Sequence, residues 1–171
     1  RIYDWNGSSW VQTGQDIDGE AQEDYSGYSV SLSSDGNVIA VGAYKNDGNG
    51  VDSGHVRIYQ YNSVQSQWSQ LGQDIHGEAA NDYSGWSVSL SNDGNILAVG
   101  AYQNDGNGSD SGHIRVYQYQ SEPPVGGASY TAITTPVVFN QQQTSPSINV
   151  ASISSNYLGA KPRTIEFTQV T

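Results

Sequence analysis

The sequence contains no cysteine and no methionine, only six basic residues, and no long apolar run. The first absence excludes disulfides and thiolate chemistry and leaves the redox compartment unread. The second leaves the chain without an initiator, so the expectation is a processed chain or a piece of a longer product. With no run of about 18 apolar residues, no helical membrane span is expected. The scarcity of Lys and Arg against 17 acidic residues, for a formal charge of -11, removes the basic footprint that nucleic acids and anionic membranes require. That balance suits solubility, divalent cations or basic partners. A Gly-x-Ser-x-Gly nucleophile motif is also missing, and no helical periodicity competes with the alternating pattern described next.

What is present is a repeat. Asp24 to Tyr61 returns 58 residues later as Asp82 to Tyr119, with 30 of 38 positions identical. Four of the eight differences exchange one aliphatic for another: Val38/Ile96, Ile39/Leu97, Val56/Ile114 and Ile58/Val116. A long fixed period marks an array in which each unit needs its neighbours to bury a shared core. Arg1 to Trp5 matches Arg57 to Tyr61, and Trp10 to Glu20 matches Trp68 to Glu78, so residues 1–23 read as the back end of a preceding unit.

Each full unit reads as four short strands. Ser29–Ser33 alternates Val30 and Leu32 with serines, and Asp35-Gly36-Asn37 is a hairpin signal. Val38–Tyr44 is apolar on both faces, as a doubly covered strand requires. The Gly/Asn/Asp loop Asn46–Gly54 leads into His55–Tyr61, where His55, Arg57, Tyr59 and Tyr61 alternate with Val56, Ile58 and Gln60. The fourth strand is expected from Trp68 to about Ile75. Repeated four-stranded units of this kind describe the blades of a β-propeller.

The unit resembles the FG-GAP repeat of integrin-type β-propellers on three elements: YSGYSV (Tyr25–Val30), AVGAY (Ala40–Tyr44) and GHVRIY (Gly54–Tyr59), each recurring 58 residues later. The resemblance covers residues 1 to about 119 and implies an extracellular interaction role. Tyr44 and Tyr102 stand where that family usually has proline. The family's calcium loop joins the first and second strands; here that link is only SSDGN or SNDGN, so that metal site does not carry over.

The expected fold is therefore all-β: a partial β-propeller over residues 1–120, with two near-complete blades and half of a third. A Pro/Gly linker (121–129) and a β-rich Ser/Thr tail (130–171) follow. The Trp-x-Gln motif does not return after Tyr119, so the last blade is expected to lack its fourth strand; YTAITT, PVVFN, SINVASIS and TIEFTQV read as strands of the tail. Propellers close with about four to eight blades, so the partners expected are missing blades of a longer chain or further copies of this one. A head-to-tail contact gives a ring or a filament, and the tail is a candidate to add strands to a neighbour's edge.

Up-down strand order places the second loop of each unit and the link to the next unit on one end. There fall 12 of the 17 carboxylates. Hard cations want several oxygens from glycine-flexed loops. Asp47, Asn49 and Asp52, their counterparts Asp105, Asn107 and Asp110, and Asp16, Asp18 and Glu20 are the candidate calcium ligands. Turn formation by the same residues is the competing reading. His55 and His113 read as structural, since no cysteine or close histidine accompanies them. Carboxylates duplicated in both repeats speak for a structural or binding role, and the expectation is a protein that is not an enzyme.

Tyr28, Trp86, Tyr44 and Tyr102 are candidates to stack on sugars if exposed, and Tyr25/Tyr83 and Trp10/Trp68 share their periodicity; inter-blade packing is the favoured reading. Asn6 and Asn107 head glycosylation triplets in expected loops. The functional expectation is an extracellular structural or adhesive module that assembles with other blades or subunits. A calcium-dependent, lectin-like binder of glycans is the alternative.

Overall fold

The computed structural model describes residues 1–120 and, as backbone, residues 129–132. The expected tail strands beyond Ala132 lie outside the described residues. Among the latter the chain is all-β, with eleven strands and no helix. β1 (Tyr3–Trp5) pairs with β2 (Trp10–Gln12) as a two-stranded half-sheet. β3 (Ser29–Leu32), β4 (Val38–Ala43), β5 (His55–Asn62) and β6 (Gln67–Gln70) form the middle sheet in that order, and β7 (Ile75–His76) also pairs with β5. β8 (Ser84–Leu90), β9 (Ile96–Ala101), β10 (His113–Gln120) and β11 (Ser129–Ala132) form the last. Every named strand pairing is antiparallel.

The first three strands of the middle sheet appear within a residue or two of their sequence bounds, because alternation and turn chemistry are local; the fourth, expected from Trp68 to about Ile75, is broken into β6, which ends at Gln70, and β7 at Ile75–His76. In the first hairpin Asp35 Oδ1 accepts from Ser33 Oγ at 2.6 Å and from Asn37 N at 3.0 Å, while its Oδ2 accepts from Asn37 Nδ2 at 3.0 Å. The Ser33 hydroxyl and the Asn37 amide hold the Asp35 carboxyl down to about 2. Asp93 repeats the arrangement with Ser91 and Asn95. Both oxygens of each aspartate are thus spent on closing its own turn.

One expectation is corrected. The last sheet does have a fourth strand: β11 pairs with β10 in the register Tyr117↔Ala132, Tyr119↔Tyr130. Tyr130 takes the register position that Trp68 holds opposite Tyr61 in the middle sheet. Strand pairing is made by backbone groups, so a segment without the Trp-x-Gln motif fills the same place.

Two apolar clusters hold the sheets together. β4 is buried along its whole length because its two faces serve different clusters. Val38 and Ala40 join Val56, Ile58, Ile75, Leu97 and Val99, with Val88, Leu90, Tyr117 and Tyr119 of the last sheet packed against them. Ile39 and Val41 join Trp68 on the other face, together with Tyr59, Tyr61 and, from the preceding segment, Ile2 and Ile17. By the repeat, Ile2 and Ile17 correspond to Ile58 and Ile75. Both clusters are one junction built twice: the aliphatic back of one sheet against the tyrosine-bearing front of the next.

Candidate functional site

At the acidic end, the second loop of the middle sheet is sewn to the link that follows. Asn49 Nδ2 donates to Gly77 O at 2.8 Å and Glu78 O at 3.0 Å. Backbone bonds run from Asn81 N to Val51 O, Tyr83 N to Asp52 O and Ser84 N to Ser53 O. Asp47 Oδ1 accepts from Asp52 N at 2.8 Å, as Asp105 Oδ1 does from Asp110 N. Asp52 and Asp110 both adopt positive φ, 51° and 53°. Asp47, Asn49, Asp105, Asn107 and Asp110 are exposed on these loops, and Asp52 is partly buried. Their turn-forming role is visible in the bonds just given. Asn6 and Asn107 are likewise exposed, and Asn6 Oδ1 accepts from the amides of Ser8 and Ser9 at 2.9 Å.

Of the third candidate set, Asp16 is tied to Arg1 Nε at 2.9 Å and to Gln12 Nε2 at 2.7 Å, while Asp18 is exposed. The Arg1 bond, more than the Gln12 bond, lowers the Asp16 carboxyl. Glu20 belongs elsewhere. It lies against Arg57, whose guanidinium also grips Asp74 in a fork, Nε to Oδ1 at 2.9 Å and Nη2 to Oδ2 at 2.8 Å. His55, 3% exposed, points Nδ1 between Glu20 Oε2 at 3.8 Å and Asp74 Oδ2 at 3.7 Å. Glu20, His55 and Asp74 bring ligand atoms within 4.8 Å of one another. Arg57 is paired with both carboxylates, so the arrangement is an ion-pair network in which one cationic side chain already occupies the place between them. Glu78, His113 and Arg115 repeat it in the last sheet. There Arg115 Nε is buried without a partner, where Arg57 Nε has Asp74.

This network was missed by sequence reasoning. Its signal was the 58-residue recurrence of Glu20, His55 and Arg57 as Glu78, His113 and Arg115, together with Asp16/Asp74. A histidine neighbour was missed too: β7 pairs His76 opposite His55, with ring centroids 5.9 Å apart.

Burial is the main influence on His55 and pushes its imidazole below the ordinary value of 6.5, against the raising effect of Asp74. A folded value below the unfolded one means that the unfolded chain binds more protons in the interval between them. The contribution of neutral His55 is therefore complete above about 6.5 and is lost as pH falls below it. Urea unfolding of the chain and of His55→Gln is expected to converge toward pH 5, with the native chain showing the steeper acid-side decline. Parallel pH profiles would contradict this.

The periodic aromatics form a ladder. Tyr25 and Tyr28 lie 5.6 and 4.6 Å from Tyr44 between ring centroids. Tyr44 in turn meets Tyr83 and Trp86 of the last sheet at 5.8 and 4.9 Å. Tyr83 and Trp86 meet Tyr102 at 5.4 and 4.6 Å, and Tyr28 also touches Trp86 at 4.7 Å. The rings pack on one another, yet Tyr25, Tyr28 and Tyr102 stay about half exposed. Tyr25 and Tyr83 both sit at φ 53°, a left-handed conformation that persists where the surroundings over-determine it.

Uncovered apolar surface flanks the two junctions. In the last sheet Ile114 is 74% exposed and Val116 37%, whereas their counterparts Val56 and Ile58 are fully buried. The half-sheet exposes Tyr3, Trp5 and Trp10. Val30 and Leu32 of β3 are exposed as well, although Val88 and Leu90 at the same repeat positions pack into the core.

The FG-GAP repeat family model matches residues 16–59 and 76–117. Each match runs from an inter-sheet link through the third strand of the following sheet, so it contains the Glu, His and Arg of the polar network and leaves Asp74 between the two. No curated protein matches the chain. FG-GAP repeats are found in integrin-like extracellular adhesion modules and typically occur in extracellular or cell-surface proteins. No helix among the described residues is long and apolar enough to cross a membrane. The two matched stretches take in half of the chain, and the protein belongs to the FG-GAP repeat family.

Proposed function

We propose that this protein is a non-enzymatic extracellular module that builds a structural or adhesive assembly by stacking its sheets, as propeller blades, against those of further copies. The observation that carries this reading is the exposure of Ile114 and Val116 at positions where Val56 and Ile58 are fully buried. Apolar sheet faces of this kind are normally covered. The test is the mass of the native chain by light scattering across a concentration series, with electron microscopy of the same sample. The expected result is a mass that climbs with concentration above the 18.3 kDa of one chain, as a ring or a filament. A constant single-chain mass would overturn the reading.

A second reading, a glycan binder, is favoured by the half-exposed rings of Tyr28 and Tyr102 in the ladder they form with Tyr44 and Trp86, since flat aromatic faces stack on sugar rings. Calcium dependence would then fall on the loop carboxylates of Asp47 and Asp52 with Asp105 and Asp110. Retention on a glycan resin by a compact particle, released by chelator, would replace the first reading with this one.

A further inference from the structure

We infer that the open groove on the last sheet is a receptor for an extended strand of another polypeptide, one that reads Ser-Gly-aromatic-Ser-aliphatic-Ser-aliphatic. Both full repeats of this chain open with that pattern, at Ser26 and at Ser84. The inference deepens the assembly reading above by naming the segment that docks, and rests on it only for the source of that segment. The groove has a volume of about 460 Å³ and is lined by Trp86, Ser87, Gly100, Tyr102, His113 and Ile114. Their counterparts 58 residues earlier are Tyr28, Ser29, Gly42, Tyr44, His55 and Val56. In the middle sheet the same groove is full. Each of those six residues meets Gly85 or Trp86 of β8.

Those contacts define what the groove accepts. Ser29 Oγ donates to Gly85 O at 2.7 Å. The Trp86 ring centroid lies 4.7 Å from that of Tyr28 and 4.9 Å from that of Tyr44. A Cβ on Gly42 would strike Gly85 O, and a Cβ on Gly85 would strike His55 O, with Val56 Cγ2 at 3.1 Å. Gly85 also has φ 83° and lies at the bulge between Ser84 and Ser87. The second position of the strand is therefore glycine, since neither the backbone conformation nor the space admits a side chain. The third is a flat ring that packs between two others. Beyond the groove the strand is held along its length. Ser84 N donates to Ser53 O at 2.9 Å and Leu90 N to Ser31 Oγ at 2.9 Å, while Val88 and Leu90 pack on the core cluster. The last sheet repeats the receiving parts. Ser87 and Ser89 stand exposed where Ser29 and Ser31 make these bonds, and Ile114 is 74% exposed where Val56 is fully buried. The face continues, one repeat on, an interface that the chain already makes within itself, and an open apolar face of this kind marks an interaction site.

The probe is a dye-labelled peptide of residues 82–92, the segment that fills the middle groove, added to the full-length chain and followed by fluorescence anisotropy. The expected result is saturable binding with a Kd of about 1 mM or tighter. A peptide carrying Gly85→Ala is expected to bind at least about tenfold more weakly, because its methyl group meets the His113 carbonyl as one on Gly85 would meet that of His55. Ile114→Glu in the protein sets a charge under the strand and is expected to weaken binding by about tenfold or more. Its β-type circular dichroism is expected to be unchanged, since the site is exposed. Ile114→Val supplies the residue of the middle groove and is expected to keep binding. No saturable binding overturns the inference, and is what a groove filled by the chain's own later residues would give. Equal binding of the Gly85→Ala peptide also overturns it, as does binding that Ile114→Glu leaves unchanged. The mass series answers the separate question. Peptide binding by a chain that stays single at every concentration leaves the groove assigned and the assembly reading lost. Assembly without peptide binding, undiminished by Ile114→Glu, overturns the groove and puts the contact between copies on another surface.

Discussion

Ile58→Ala is expected to destabilise the dilute, unassembled chain by about 2–5 kcal/mol, the range for removing a fully buried aliphatic and leaving a cavity. Val116→Ala, at the same position of the next repeat, is expected to cost less than about 1 kcal/mol. The two residues occupy equivalent strands, β5 and β10, with the same neighbours in sequence and nearly the same side chain. Ile58 is 0% exposed in one core cluster with Val38, Val56, Leu97 and Val99, whereas Val116 is 37% exposed. Denaturant midpoints of the two variants check this directly. Equal losses would mean that Val116 is already covered in the single copy, and the exposure that carries the assembly reading would be lost as well.

The second large effect is expected from Gly54→Ala. Gly54 has φ 75°, where an L side chain costs about 1–2 kcal/mol. A Cβ there would also run into the carbonyl oxygen of Ser84 and crowd Ser84 N at 2.6 Å, at the isolated bridge by which Gly54 meets the last sheet. Backbone cannot swing aside as a side chain does, so overpacking adds about 1–3 kcal/mol. The sum is about 2–5 kcal/mol. Gly112, its counterpart, has φ 68° and its nearest obstacle is Tyr102 O at 2.9 Å. Gly112→Ala is therefore expected to cost less than Gly54→Ala, the conformational share plus a smaller steric one. Thermal unfolding of both variants separates the two contributions, since φ is common to them and the approach of a following sheet is not. If Gly112→Ala proved as damaging as Gly54→Ala, the close approach at Ser84 would not be what excludes a side chain.

These contrasts also mark how much of the fold is written in the residues themselves. The period, the strands and the Asp-Gly-Asn turns follow from alternation and from side chains that bond their own backbone, all of it local. The doubly apolar VIAVGA run announced a strand covered on both faces, and β4 is one. The loop-end placement of Asn46–Gly54 beside the following link followed from strand order alone. The polar network was less legible, because Glu20, His55 and Asp74 are far apart in sequence and meet only once three segments have packed. β11 was not legible as a member of the last sheet: it carries no motif, and backbone pairing asks for none.

Identity between the repeats determines identical local structure, down to the matching φ of Tyr25 and Tyr83 and the matching turns at Asp35 and Asp93. It does not determine burial. Trp68 is 4% exposed and Trp10 67%; Val56 is fully buried and Ile114 lies open. Side-chain exposure depends on what stands across the junction, and that is a property of the stacked sheets. From the residues alone came an FG-GAP repeat that needs neighbours; which faces are covered, and which stand open, came from the packing, because hydrophobic burial is decided by the surface that arrives opposite.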